Sequence, residues 1–136
     1  YSPHGAWLAP GTSTAHQQRA RDLLRTDRAF AATSVTRTPD TTRLIAQLPT
    51  AANVVFLGPL CDDDSEALVR RLAASGHPVT VLSPDPTATD TAGHRLARLE
   101  RRERLRRLRA AGIAVHDWPA TEPLEQVTER AWRGGQ

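Results

Sequence analysis

The chain has 136 residues, with 18 basic and 15 acidic side chains, a net charge of +3 and 39% apolar residues. That balance excludes a highly charged disordered tail, and the length suits one domain. A single Cys61 excludes an internal disulfide and a cysteine-based zinc site, and no apolar run approaches the ~20 residues of a membrane-crossing helix.

Many of the apolar residues are small, with 21 Ala among them, which predicts a thin core and marginal stability. The chain opens on Tyr1 and contains no Met, which predicts that a preceding piece has been removed. Every basic residue is Arg, and eight of them lie between Arg95 and Arg109 against only Glu100 and Glu103. The basicity therefore belongs to one segment.

The N-terminal part is the less regular. Gly5 to Ala9 is compatible with a short strand, in which Trp7 would pack. Thr14 to Phe30 has helical spacing that would bury Ala20, Leu23, Leu24 and Ala31. A Thr-rich loop from Thr33 to Thr42 has room for a strand at Ser34 to Thr36. Leu44, Ile45 and Leu48 then make a short helix ended by Pro49.

From residue 53 onward the order of elements is regular. Val54-Val55-Phe56-Leu57 is an unbroken apolar run, as expected of a strand buried on both faces, and Gly58-Pro59 ends it. The Asp62-Asp63-Asp64-Ser65 stretch offers an N-cap, Leu68, Val69, Leu72 and Ala73 form a helical stripe, and Gly76 stops it. Val79 to Leu82 is a second strand, closed by Ser83-Pro84-Asp85-Pro86. A long helix from Thr91 to Ala111 stops at Gly112, and Ile113 to Val115 is a third strand ending at His116-Asp117-Trp118-Pro119. A last helix starts near Glu122 with Pro123 in its first turn and sets Leu124, Val127 and Ala131 on one side. Trp118 and Trp132 flank it as core anchors. Strand and helix alternating through short connections imply a parallel sheet covered by helices.

The Arg-rich helix is inconsistent with one buried stripe. Leu96 and Leu99 lie within about 60° of each other, as do Leu105 and Leu108, yet the two pairs point roughly 120–180° apart. The helix therefore either bends or projects its first half towards another surface.

Parallel sheets bind ligands at the carboxyl ends of their strands, here the loops at 58–65, 83–91 and 116–122. Asp62, Asp63 and Asp64 suit either a divalent cation or a helix cap, and capping is the simpler reading. Asp85 between two prolines reads as a turn residue. No glycine-rich phosphate loop, Gly-x-Ser-x-Gly elbow or His-x-x-x-His spacing is present. The five histidines assemble no active site, which points to binding rather than catalysis. Arg98, Arg101 and Arg102 make the helix at 95–109 a candidate contact for nucleic acid. Glu100 to Arg104 and Glu103 to Arg107 have the i,i+4 orientation of an exposed, solvated helix, and no aromatic residues interleave for base stacking. An acidic protein partner fits the two opposed leucine pairs better.

Three stretches, "WLAPGT…RARDLL", "VVFLGPLCDDD…LVRRLAASGHPVTVLSPD" and "RLARLERRERLRRLRAAGIAVHDWPATEPL", resemble the second half of the domain-of-unknown-function 58 family. The resemblance spans nearly the whole chain. It implies a doubly wound, Rossmann-like, von Willebrand A-like three-layer α/β fold with a mostly parallel sheet, in which residues 1–136 are a partial domain lacking its N-terminal strands. The same resemblance implies a metal-ion-dependent adhesion site in which Thr42 matches the loop Thr. The third loop departs from the pattern: Gly58-Pro59 stand where Ser/Thr-Asp is expected, and Asp62 is the nearest carboxylate. No cofactor is expected unless an upstream segment completes a magnesium site. Members usually carry membrane spans before this domain and are commonly encoded beside MoxR-type AAA+ ATPases. That implies a non-catalytic scaffold on the cytoplasmic side of a membrane-anchored protein. From the strand-end loops and the Arg-rich helix, Asp63, Asp64, Asp85, Arg98, Arg101 and Arg102 are the candidate contact residues. The alternative is a nucleic-acid-binding module built on the Arg-rich helix.

Overall fold

A computed structural model describes residues 7–9, 11–27, 40–87, 92–119 and 121–133. The chain, which the sequence predicts to be one domain, divides into two compact units, Tyr1–Gln47 and Leu48–Gln136.

The first unit contributes two helices. α1 (Thr14–Thr26) starts where the Ser13 hydroxyl accepts the His16 N–H, and α2 (Thr41–Gln47) where the Asp40 carboxylate accepts the Arg43 N–H. α1 ends at Thr26 with Asp27 as its cap, residues 28–30 of the expected helix lie outside the described residues, and α1 buries none of its own. Leu24 in particular is exposed, and Ala20 and Leu23 are only half-buried. Residues 7–9 are not a strand; the strand suggested at 34–36 and Ala31 lie outside the described residues.

The second unit is an α/β fold of the Rossmann-like three-layer kind. β1 (Val54–Leu57), α3 (Asp63–Ala74), β2 (Val79–Pro84), α4 (Ala92–Ala110), β3 (Ala114–Trp118) and α5 (Leu124–Arg133) follow in that order. The sheet order is β1-β2-β3 and both pairings are parallel. Phe56 sits beside Val81 and Val81 beside Val115, so these share a face with Ser83 and Asp117. α4 reaches that face through Arg101, and α3 packs against α4 and β2. Leu82 and Trp118 look the other way and meet Val127 and Ala131 of α5. Helices thus cover the sheet from both sides.

Local chemistry sets the boundaries. Asp62 caps α3, accepting the Ser65 N–H (2.7 Å) and hydroxyl (2.9 Å). α3 and α4 each end on a glycine with positive φ, Gly76 at 86° and Gly112 at 79°, a conformation in which a side chain is strained. Ile113 does not open β3, as its apolar side chain suggests, because its N–H bonds back to Leu108 and completes the α4 terminus. The strand runs instead through His116, Asp117 and Trp118.

Two expectations about burial fail. Only β2 is buried on both faces; in β1, Val55 and Leu57 are exposed because α5 lies over β2 and β3. Trp132 is 60% exposed and anchors nothing, while Trp118 is half-buried and donates its indole N–H to the Glu122 carbonyl (2.7 Å).

Candidate interaction surface

Four arginines of α4 are tied into the fold by side-chain contacts. Arg98, Arg101, Arg104 and Arg107, three residues apart, wind round the helix from Arg98 to an exposed Arg107, and each holds a partner within the unit. Arg107 clasps Glu66 of α3 with two hydrogen bonds (2.6 and 3.1 Å), and Arg104 donates to Asp63 (2.9 Å). Arg98 donates to the Thr87 hydroxyl and carbonyl.

Arg101 lies deepest. Its side chain is 1% exposed, and its guanidinium occupies the crevice at the carboxyl ends of the three strands. Nε donates to the Pro59 carbonyl (2.9 Å) after β1. Nη2 donates to the Ser83 carbonyl and hydroxyl (both 2.9 Å) in β2, and to Asp117 (2.6 Å) in β3. A delocalised fork with five N–H groups can satisfy such divergent acceptors, which an ammonium cannot. One side chain thereby ties the loop after β1 and the carboxyl ends of β2 and β3 to α4.

The loop after β1 is held from its other side as well. Leu60 is fully buried although its φ is 53°, a left-handed conformation costly for a branched residue. Cys61 beside it is exposed at the surface, and partial burial of the thiol, outweighing the nearby Arg101 and Arg104, pushes its pKa up. In the β2 loop, desolvation raises the Asp85 carboxyl. The Thr87 hydroxyl (2.5 Å) and amide (2.9 Å), with Arg101 and Arg98 close by, outweigh it and hold Asp85 below the usual carboxylate range. Asp85 is thus more than a turn residue: it fixes the loop that Arg98 grips.

These contacts correct several assignments made from sequence. Arg101 is unavailable to a partner. Glu103 pairs with Arg106 (2.7 and 2.8 Å), not Arg107, and Arg104 reaches Asp63, not Glu100. The inter-helix carboxylates prevail because they lie on the side of α4 turned towards α3. Arg102 and Glu100 are exposed, as is Asp64 in the first turn of α3.

Of the residues matched to a cation site, Asp62 is engaged locally. Both of its carboxylate oxygens accept from Ser65 in the α3 cap, and Thr42, in the first unit, is exposed. At the strand ends, the place where a parallel sheet would hold a ligand is filled by a guanidinium.

The outward face of α4 is different in kind. Leu105 and Leu108 are fully buried, whereas Leu96 is 59% and Leu99 62% exposed. The first half of the helix therefore offers two adjacent leucines to solvent, with Arg95 and Arg102 on one flank and Glu100 on the other. No described helix is long and apolar enough to cross a membrane. No family model, curated protein or solved structure matches the chain.

Proposed function

We propose that the second unit is a non-catalytic protein-interaction module whose contact surface is the outward face of α4. The observation that carries this reading is the exposure of Leu96 and Leu99 on a helix whose inner face already has its own leucines, Leu105 and Leu108. Paired leucines on a rigid helix are the anchors that amphipathic partners bury. The neighbouring exposed Arg102 favours a partner with acidic residues beside its apolar stripe.

The resemblance to the domain-of-unknown-function 58 family makes a MoxR-type AAA+ ATPase the partner to test, with the chain acting as an adaptor on the cytoplasmic side of a membrane-anchored protein. The basic run gives less support to nucleic acid, since Arg98, Arg101, Arg104 and Arg107 hold acceptors inside the unit. Phosphate contacts would need those groups free.

The test is a titration of the fluorescently labelled chain with a purified MoxR-type ATPase, alongside a Leu96→Glu/Leu99→Glu variant. Loss of the two anchors is expected to weaken binding by about tenfold or more. Absence of binding by the parent chain, or equal affinity of the variant, refutes the proposal.

A further inference from the structure

The two edges of the sheet are unlike. At the outer edge of β3, Arg109 donates two hydrogen bonds to the Val115 carbonyl (3.1 and 3.3 Å), and Asp117 adds a charge. Charged side chains on an edge are the usual protection against strand addition. β1 has none. Its sequence is Val-Val-Phe-Leu, without charge or proline, and among the described residues no strand pairs with its outer edge.

Hydrogen bonding fixes which main-chain groups of β1 face away from β2. The Val54 N–H bonds to the Pro78 carbonyl (2.8 Å) and the Gly58 N–H to the Leu82 carbonyl (3.2 Å), both towards β2. Alternation along a strand then turns the N–H and C=O of Val55 and Leu57 away from β2. The same two residues carry the exposed side chains, Val55 at 48% and Leu57 at 62%, on the face that α5 leaves uncovered above β1.

This pattern is complementary to itself. A second copy of β1 laid antiparallel, with the two-fold axis at Phe56, sets Val55 opposite Leu57 of the partner copy, and Leu57 opposite its Val55. Both outward-facing residues of each strand then exchange N–H and C=O with the other strand, and the exposed Val and Leu side chains meet as two cross-strand pairs on one face. Phe56 meets its symmetry mate on the other face. A register one residue away would set apolar residues of one face against the opposite face of the partner, so the pairing is specified. No like charges oppose each other.

We infer that the β1 edge is a self-association surface, through which two copies of this chain join into a continuous six-stranded sheet. The pairing strand is only four residues long, so the dimer is concentration-dependent. This surface is separate from α4, and the inference stands independently of the proposed partner.

Sedimentation velocity on the whole chain from about 1 μM to about 1 mM tests it. A monomer–dimer equilibrium is expected, weakened about tenfold or more by Leu57→Lys and by Val55→Lys, which alter exposed side chains and leave the circular dichroism unchanged. In the unsubstituted chain, amide hydrogen exchange at Val55 and Leu57 should slow as concentration rises. A monomer throughout, a dimer indifferent to Leu57→Lys, or a dimer dissolved instead by Leu96→Glu/Leu99→Glu overturns the inference.

Discussion

Replacing Arg101 by Leu removes a side chain that bonds to the loop after β1 and to the carboxyl ends of β2 and β3. The cost can be worked from its partners. Ser83 is fully buried, so its carbonyl and hydroxyl lose donors where water does not reach, at about 1–3 kcal/mol each. Asp117 is 46% exposed and regains water, so freeing it costs little. The leucine side chain offsets part of the loss by filling the space the arginine stem vacates. The sum is about 3 kcal/mol, a large share of the ~5–15 kcal/mol that holds a domain together, and about 12–24 °C in melting temperature for a unit of this size. Asp117→Asn keeps an acceptor near the guanidinium and should cost about 1 kcal/mol or less. Urea unfolding followed by circular dichroism, with unchanged m, measures both. A loss below about 1 kcal/mol for the leucine variant, or an equal loss for the asparagine variant, would show that carbonyl bracing by Arg101 is not what holds the loops.

Trp118→Ala should destabilise by about 2–3 kcal/mol, less than the 3–5 kcal/mol of a fully buried indole, because the ring is only half-buried and loses one hydrogen bond to Glu122. An unchanged urea midpoint would remove it from the core. Stability should also fall as pH drops from 7. Burial first, then Arg130 and Arg109, hold His116 below the ordinary histidine pKa of ~6.5, so its contribution is complete above that value and is lost as pH falls through the lowered one. Asp85, held below the usual ~3.9, adds a second loss as pH falls through that lower range. His116→Gln should flatten the first decline in melting temperature and leave the second. A melting temperature that rises between pH 7 and 5 would contradict the sign.

Much of the second unit is legible in the chain because each apolar run is closed by a turn former. Gly58, Gly76 and Gly112 fall where strands or helices stop, and Leu68, Val69 and Leu72 repeat with the period of a helix lying on a sheet. The exposure of β1 is not legible, since Val-Val-Phe-Leu reads the same whether its second face is covered or bare. That depends on where α5 lands. The burial of Arg101 did leave a signal: Arg101, Leu105 and Leu108 follow i, i+4, i+7 spacing, so the arginine stands in line with the two core leucines. Residue type argues against that line, because arginine is rarely buried unless paired, and its partners come from three separate stretches of the chain. Leu60 left none, for nothing in Gly-Pro-Leu-Cys announces a buried residue with positive φ.

The placement of Arg101 bears on where function resides. In an open parallel sheet the crevice beyond the strand ends is the expected ligand site, and its acidic loops invite a cation reading. A buried guanidinium there reverses the local charge, pairs with Asp117 and, with Arg98, lowers the pKa of Asp85. The strand-end loops are therefore braced against α4 rather than open around a ligand. Bracing one side of α4 so firmly fixes the direction of the other. Leu96 and Leu99 lie on the same rigid rod as Arg98 and Arg101, so their outward pose is set by the bonds that close the crevice. If α4 is the contact surface, Arg101→Leu should weaken partner binding without touching the partner, whereas the β1 edge, braced by β2, should associate as before.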